Sequence, residues 1–362
     1  MKRRLLWRRL RPGAAAVVLT ILVGAAVVGS ASAAPANVYT VTDLVSNQAG
    51  VAAHADGDLV NAWGLGSLPA SPWWVADNGT NVSTLYRADG SKVPLTVQVP
   101  NAPTGLVSNT GPHFVVTDGV KSGPAAFIFA TEEGKILGWN PTVSVTHAQV
   151  AVNHQPVGAV YKGLAIASTA TGDFLYATDF HNGRVDVFNG SFHDVTAPGS
   201  FADPNIPSGY APFGIQNVGG NLVVTYAKQN AAAHDDVAGQ GHGFVDLFDT
   251  SGKLLVRVAT HGQLNSPWGI AMAPASFGAF GHDLLIGNFG DGQISAFEPQ
   301  PDGTFELVGQ LRTSNHKVLT IDGLWALQFG KGAPNNGPTT TLFFTAGPNG
   351  ESDGLFGTIT AG

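Results

Sequence analysis

The sequence predicts an all-β protein, a six-bladed β-propeller closed by its N-terminal strand, and three observations lead to this fold. A motif of a small residue followed by an aliphatic one recurs six times, at intervals of 41 to 58 residues. Short alternating strands and turn signals fill these intervals. One further strand near the N-terminus has no repeat of its own. Strand-built repeats of this length are typical of propeller blades.

Residues 1–33 precede the predicted fold and have the pattern of a secretory signal peptide. Six basic residues accompany an apolar run at residues 14–28, and Ala31-Ser32-Ala33 is a small-x-small cleavage signal. The apolar run is short for a transmembrane span. We therefore predict cleavage after Ala33, a mature domain over residues 34–362 and a secreted, extracellular protein. The general and the twin-arginine export routes both stay open.

Residues 38–42 form the strand that is expected to close the ring. The last repeat supplies strands at residues 325–329, 341–346 and 354–360 but no fourth strand. Pairing residues 38–42 with that repeat removes two open sheet edges, as closure of a propeller requires. A seventh blade would need a further set of strands, and the sequence contains none.

The copies of the motif mark the innermost strand of each blade. They are Gly64-Leu65, Gly105-Leu106, Gly163-Leu164, Gly214-Ile215, Gly269-Ile270 and Ala326-Leu327. In the third repeat, apolar–polar alternation predicts strands at residues 163–166, 174–178 and 184–188, with a weaker strand near residues 200–201. Turn signals such as Asp77-Asn78-Gly79 follow the second strand of several repeats. A single propeller domain therefore accounts for residues 34–362.

Two resemblances agree with this fold. Residues 178–188 resemble the Asp-x-x-Asn-x-Arg-Ile/Val-x-Val-Phe signature of NHL-type propeller repeats. Over nearly all of the mature chain, the sequence also resembles an uncharacterised family of secreted bacterial propeller proteins. The hallmarks of that family match residues 60–65, 210–216, 234–239 and 344–350. The resemblance implies the fold and secretion, and it carries over no catalytic residues.

The net charge and the absence of cysteine limit which partners and which metal sites the protein can have. Without residues 1–33, the chain has 12 basic and 25 acidic residues, a formal charge of −13. This charge argues against nucleic acid or an anionic membrane as a partner and is compatible with bound cations. The sequence has no cysteine, so thiolate metal sites and disulfides are excluded. A stable monomer is expected, because a domain of this length buries a large core.

The strongest candidate for a metal site is a long insertion in the fourth repeat. His234, Asp235 and Asp236 are adjacent there, and His242 follows within the same loop. Imidazole with carboxylate suits zinc, whereas carboxylates with carbonyl oxygens suit calcium. The spacing matches no stringent metal signature. The alternative is a polar loop whose aspartates accept hydrogen bonds from their own backbone.

Propeller geometry brings two more candidates toward the same end of the ring. His181 follows the second strand of the third repeat, and Asp322 precedes the first strand of the sixth. Together with His234 they are the candidate catalytic residues. Asp322 near Asn61 and Lys162 resembles the calcium-binding arrangement of lactonase-type propellers. The glutamate that those enzymes carry in the first blade has no counterpart here.

A further set of residues occupies equivalent positions at the start of the inner strands and forms the candidate ligand-binding set. These residues are Asn61, Trp63, Lys162, Phe213, Trp268 and Trp325. The aromatic members either form a stacking platform for a sugar or another planar ligand, or fill the gaps between neighbouring blades. The sequence leaves both interpretations open, although packing is favoured.

The sequence contains no recognisable catalytic set. It has no Gly-x-Ser-x-Gly elbow and no phosphate-binding loop, and we expect no nucleotide cofactor. The favoured function is a secreted propeller that binds a small ligand, a glycan or an extracellular protein at the channel mouth. The alternative is a metal-dependent hydrolase or lyase that uses calcium or zinc at the same place. A purely structural extracellular role is the third option.

Overall fold

A computed structural model describes residues 36–362, which contain six mainly antiparallel sheets of three to five strands and one two-stranded hairpin. We call the sheets blades 1 to 6 and give their strands from the inner to the outer one. Blade 1 contains Ala62–Gly66, Trp73–Asp77, Val82–Tyr86 and Val97–Gln98, and blade 2 contains Pro103–Ser108, Phe127–Thr131, Lys135–Trp139 and Gln149–Asn153. Blade 3 contains Tyr161–Thr169, Gly172–Asp179 and Arg184–Asn189, and blade 4 contains Tyr210–Val218, Asn221–Lys228, Gly243–Phe248 and Leu254–Thr260.

Blades 5 and 6 complete the ring. Blade 5 contains Pro267–Met272, Leu284–Asn288, Ile294–Pro299 and Phe305–Gln310, and blade 6 contains Leu324–Phe329, Leu342–Ala346, Leu355–Ala361 and Tyr39–Ser46. The inner strand of each blade contacts that of the next, and the inner strand of blade 6 contacts that of blade 1. The predicted six-bladed propeller is therefore confirmed.

The N-terminal strand closes the ring as the sequence predicts. Tyr39–Ser46 pairs antiparallel with Leu355–Ala361, from Tyr39 opposite Ala361 to Ser46 opposite Leu355. A bulge lies between Asp43 and Val45. The short strand His54–Ala55 then adds in parallel to the outer edge. Blade 6 is thus built from both ends of the described chain.

Blade 3 differs from the prediction, because residues 200–201 form no strand. The preceding residues Pro198 and Gly199 are unfavourable for a strand, and Phe201 has a positive φ of 55°. Its ring instead packs into the core against Tyr176 and Phe248. Hydrophobic burial therefore outweighs the local strand tendency at this position.

The remaining elements are short. A hairpin of Val115–Thr117 and Ser122–Pro124 is inserted in blade 2, and 3-10 turns occupy Asn78–Thr80, Gln155–Val157 and Gly278–Phe280. Among the described residues, no helix is long and apolar enough to cross a membrane. The predicted signal peptide lies outside the described residues.

The structure explains why the recurring motif needs a small residue. A Cβ atom on Gly64 would lie 2.3 Å from the carbonyl oxygen of Thr104, and one on Gly214 would lie 2.3 Å from that of Trp268. Each contact is with the backbone of the next inner strand, which cannot move aside without disturbing its own sheet. The motif therefore lets the inner strands approach closely around the axis.

The aliphatic residue of each motif fills the central channel. Leu65, Leu106, Leu164, Ile215, Ile270 and Leu327 all line one central cavity of about 20 Å³. A cavity of this size has room for about one water molecule. The channel is therefore closed by side chains, and a ligand cannot pass along the axis from one face to the other.

Candidate functional site

The top face is the end of the ring where the connection between the second and third strands of each blade lies. Polar side chains from five blades meet there around the axis, and we call them the mouth cluster. Its members are Asn61 and Asn78 of blade 1, Glu132 of blade 2, Lys162 of blade 3, His234 and Asp235 of blade 4, and Glu351 of blade 6. All except Asn61 and Lys162 come from these connections, and those two begin or directly precede inner strands.

Lys162 is the buried centre of the mouth cluster. Only 2% of its side chain is exposed, and its ammonium donates to Glu132 and, over 3.2 Å, to Asp235. The same ammonium lies 5.2 Å from the centroid of the Trp63 ring. A buried cation is stable only when it is paired, and here two carboxylates and an aromatic face stabilise it.

Hydrogen bonds continue from Lys162 across the mouth to blade 6. Asn78 donates to Glu132 over 2.9 Å, and Asn61 donates to Asn78 over 3.2 Å and to Glu351 over 3.0 Å. The positive φ of Asn61, 46°, is one that asparagine tolerates better than most residues. The chain of contacts therefore links four blades and holds the carboxylates in place.

His234 and Asp235 form the accessible side of the mouth cluster. His234 Nδ1 lies 2.7 Å from Asp235 Oδ1, and the Asp235 side chain is 58% exposed. Partial burial opposes ionisation of Asp235, but the charge of Lys162 and the contact with His234 together outweigh it and lower the pKa of this carboxyl. Asp235 is thus an anion that an incoming ligand can contact.

The aromatic residues lie together beneath these polar groups. Trp325 stacks on Trp63 at a centroid distance of 3.7 Å and on Phe289 at 3.9 Å. Its Nε1 donates to Asn61 Oδ1 over 2.9 Å. The stacked rings of Trp63, Trp325 and Phe289 therefore form an apolar layer directly beneath the polar groups, and we call this layer the aromatic floor.

Burial changes the interpretation of the predicted ligand-binding set. Trp63, Phe213 and Trp325 are buried, with exposures of 2%, 0% and 1%, so they offer no free face to a sugar. Their assignment as ligand-contacting residues is corrected, because each ring is covered by the others. Trp325 contacts both Trp63 and Phe213 around the channel axis, so these rings do not each fill a separate gap between two blades. Only Trp268 is partly exposed, and its Nε1 donates to the Lys162 carbonyl oxygen over 3.1 Å.

The mouth cluster contains one group of side chains that can coordinate a metal ion. One ligand atom each from Glu132, His234 and Asp235 lies within 4.8 Å of the others. An imidazole and two carboxylates match the ligand types of zinc and related transition metals. Lys162 already contacts both carboxylates, so a divalent ion would compete with its ammonium.

The structure separates several predicted site residues. His242 is not part of that group, and its Nδ1 lies 2.8 Å from the carbonyl oxygen of Val237 in its own loop. Asp236 is also outside the group, and burial raises the pKa of its carboxyl. Of the predicted four-residue metal set, the structure groups only His234 and Asp235, and it adds Glu132.

The two other catalytic candidates lie away from the mouth cluster. Asp322 is exposed, accepts a hydrogen bond from the Asn349 backbone over 2.9 Å and lines an outer groove with Val41. Its expected place at the channel mouth is corrected, because its loop turns toward the closing strand. His181 is exposed, and no side-chain contact joins it to the mouth cluster within residues 36–362.

Sequence reasoning missed Glu132 and Glu351. Both follow the second strand of a blade, the position that had already singled out His234 and Asp235. This shared position was a usable signal. The comparison with lactonases considered a glutamate only in the first blade, whereas the two glutamates of the mouth cluster come from blades 2 and 6.

Glu351 makes stability depend on pH. Burial raises the pKa of its carboxyl, as does the negative charge of Glu132. A carboxyl whose pKa is higher in the folded than in the unfolded protein stabilises the fold at low pH, and this contribution is lost as pH rises through the folded pKa. The ionised Glu351 side chain therefore costs stability at neutral pH.

We expect Glu351→Gln to raise the melting temperature at pH 7.5 by about 1–3 °C and to have little effect at pH 4. Glutamine keeps an oxygen that can accept from Asn61 but has no charge. Glu306→Gln, at an exposed position in blade 5, is the matched control and should have no effect at either pH. A lower melting temperature for Glu351→Gln than for the wild type at pH 7.5 would show that the ionised Glu351 side chain stabilises the fold, contrary to this prediction.

Comparisons with known proteins place this chain among viral relatives. No family model matches the sequence. The chain is 32% identical over 334 residues to the uncharacterised protein R648 of Acanthamoeba polyphaga mimivirus, covering 89% of this chain and 80% of that protein. It is 32% identical over 337 residues to protein L690 of the same virus, covering 89% and 85%. The expected bacterial family is thus corrected to one with viral members.

Solved structures agree on the fold. A glucose dehydrogenase superimposes with a TM-score of 0.55 at 14% identity, covering 89% of this chain and 99% of the dehydrogenase. At this identity the likeness extends to the propeller fold alone. The sequence of this chain is similar to those of the two mimivirus proteins over 89% of its length. The protein therefore belongs to the family of the mimivirus proteins R648 and L690.

Proposed function

We propose that this protein binds a small polar ligand, such as a glycan or another polyhydroxylated molecule, at the mouth cluster. The observation that carries the proposal is Lys162, an ammonium buried between Glu132 and the exposed Asp235. Ammonium, amide and carboxylate groups close together can donate to and accept from several hydroxyl groups at once. The buried aromatic floor fixes these groups from below.

The extracellular location is part of the same proposal. It rests on the basic and apolar pattern of residues 1–33. We propose a secreted monomer whose partner is a small molecule, a glycan or a glycan-bearing extracellular protein. The acidic mouth argues against nucleic acid as that partner.

Ligand screening followed by titration of a matched pair of variants tests the binding proposal. We expect thermal-shift screening against sugars and polyols to identify a ligand whose affinity falls about tenfold in Asp235→Asn. Asp302→Asn, which removes a carboxylate from an exposed turn of blade 5, should leave the affinity unchanged. Ligands that bind Asp235→Asn and wild type equally would place binding elsewhere.

A second candidate function is divalent-cation binding, as part of a metal-dependent hydrolase or lyase. The grouping of Glu132, His234 and Asp235 favours it. A bound metal would supply Lewis acidity for a carbonyl or lower the pKa of a water molecule. The three side chains would hold the ion, and the exposed side of Asp235 would face the substrate.

Calorimetric titration of chelator-treated protein with zinc and calcium tests the second candidate. We expect weak zinc binding by the wild type and an affinity at least about tenfold higher in Lys162→Met, because the competing ammonium is removed. Lys253→Met, at an exposed position, removes the same charge and should not alter binding.

The pH dependence of binding identifies the ligand atoms. Zinc affinity should fall as the pH is lowered from 7.5 to 5.5. Metals bind neutral imidazole, and imidazoles ordinarily become protonated at about pH 6.5. Calcium binding through carboxylates alone would persist at pH 5.5. No heat from either ion in wild type and Lys162→Met would reject the metal candidate, without affecting the proposal of a polar ligand.

A further inference from the structure

The bottom face, at the opposite end of the channel from the mouth cluster, contains a second recess. A groove of about 570 Å³, the small central cavity and a polar pocket of about 120 Å³ all share Gln216 and Gln328 as lining residues. These glutamines lie near the ends of the inner strands of blades 4 and 6. We call this continuous recess the bottom basin.

Lys331 supplies a cation without a counter-ion at the polar end of the basin. It lies two residues after the inner strand of blade 6, and its ammonium donates to the carbonyl oxygen of Ser67, which directly follows the inner strand of blade 1. Within residues 36–362, no carboxylate lies within ion-pair distance of this ammonium. Partial desolvation lowers the pKa of Lys331, as expected for an ammonium that lacks an anionic partner.

Ser67 provides an unused hydroxyl beside Lys331. The residue is completely buried, and within the described part of the chain its Oγ has no hydrogen-bond partner. Ser67 also lines the polar pocket together with Lys331. Buried hydroxyl groups almost always have a partner, so the Ser67 hydroxyl is a donor that a molecule bound in this pocket could use.

The rest of the basin suits a ligand that has an apolar portion and a negatively charged group. The 570 Å³ groove is lined on its apolar side by Val218, Val223, Leu247, Met272, Phe305 and Phe329. Its volume lies within the range of small-molecule pockets. Among the described residues, no aspartate or glutamate lines any of the three cavities, although the whole chain has a formal charge of −7. The basin therefore lacks the negative potential of the mouth cluster.

We propose that the bottom basin is a binding site for an aliphatic or aromatic monocarboxylate. The carboxylate pairs with the Lys331 ammonium and accepts a hydrogen bond from Ser67 Oγ. The apolar body of the ligand lies in the groove and contacts Met272 and Phe305. This site is separate from the mouth cluster and does not depend on what binds there.

Decanoate and its neutral analogue 1-decanol are the probes for this proposal. Both fit an apolar groove, but only decanoate carries the charge that Lys331 would bind. We expect decanoate to displace the fluorophore 8-anilinonaphthalene-1-sulfonate from the wild-type protein. In Lys331→Met, decanoate affinity should fall at least about tenfold, while 1-decanol affinity should stay the same.

Three further variants separate this explanation from loss of structure. Lys317→Met removes an equivalent charge at an exposed position and should bind decanoate like the wild type. Ser67→Ala should weaken decanoate binding several-fold, and Lys331→Arg should retain most of it. Absence of decanoate binding to the wild type, or equal losses for decanoate and 1-decanol in Lys331→Met, would overturn the proposal. A loss in Lys317→Met as large as that in Lys331→Met would also overturn it.

Discussion

A chain that begins at residue 47, and so lacks the strand Tyr39–Ser46, is expected to lose cooperative folding or to aggregate. The deletion removes the partner of Leu355–Ala361 along the whole outer edge of blade 6. It also removes Tyr39, which is buried against Phe277 and Phe280. Truncating one buried aromatic residue alone costs about 3–5 kcal/mol. The total stability of a domain is about 5–15 kcal/mol, so the deletion removes a large part of it.

Thermal unfolding followed by circular dichroism, together with size-exclusion chromatography, measures this effect. The matched control begins at residue 36 and keeps the complete strand, so it should melt as one cooperative unit. The exposed edge of blade 6 should also pair with other molecules, and the shorter chain is expected to elute as aggregate. If both chains were monomeric and had equal melting temperatures, the N-terminal strand would not be needed to close the ring.

Trp325→Ala is expected to cost about 3–5 kcal/mol of unfolding free energy. Trp325 is 1% exposed, lies between Trp63 and Phe289, and donates to Asn61. The substitution leaves a cavity under the mouth cluster and removes the partner of a buried amide. An unpaired buried polar group adds about 1–3 kcal/mol to the loss, although the two costs are not strictly additive.

Chemical denaturation of Trp325→Ala beside Trp268→Ala tests the role of the aromatic floor. A Trp268 ring packed fully between blades would make Trp268→Ala cost about 3–5 kcal/mol. Because Trp268 is only partly buried, we now expect a smaller cost than for Trp325→Ala. A cost for Trp325→Ala below about 1 kcal/mol, or a larger cost for Trp268→Ala, would contradict the packing described here.

The fold was largely predictable because its signals are local. The recurring small–aliphatic motif reports a contact that every inner strand makes with the next one. The unpaired strand near the N-terminus indicated ring closure without knowledge of any side-chain contact. The weak strand predicted near residues 200–201 was wrong, because burial of Phe201 depends on Tyr176 and Phe248, which are distant in sequence.

The mouth cluster was only partly predictable, because its contacts join residues that are far apart in the chain. Lys162 and Asp235 are 73 residues apart, and Asn61 and Glu351 are 290 residues apart. The sequence indicated that Asn61, Lys162, His234 and Asp235 face the same end of the ring. It did not identify Glu132 or Glu351 as their partners, and it placed Asp322 there wrongly.

The sequence by itself determined the number of blades, the way the ring closes and the end of the ring where polar loops gather. These properties follow from the period of the strands and the size of the residues that face the axis. Only the tertiary structure decided that Trp63 and Trp325 are buried in the aromatic floor, that Lys162 lies between two carboxylates and that Lys331 has none within ion-pair distance among residues 36–362. The reason is physical: burial and charge pairing depend on distances between blades, and the course of each loop, which the repeat does not encode, sets those distances.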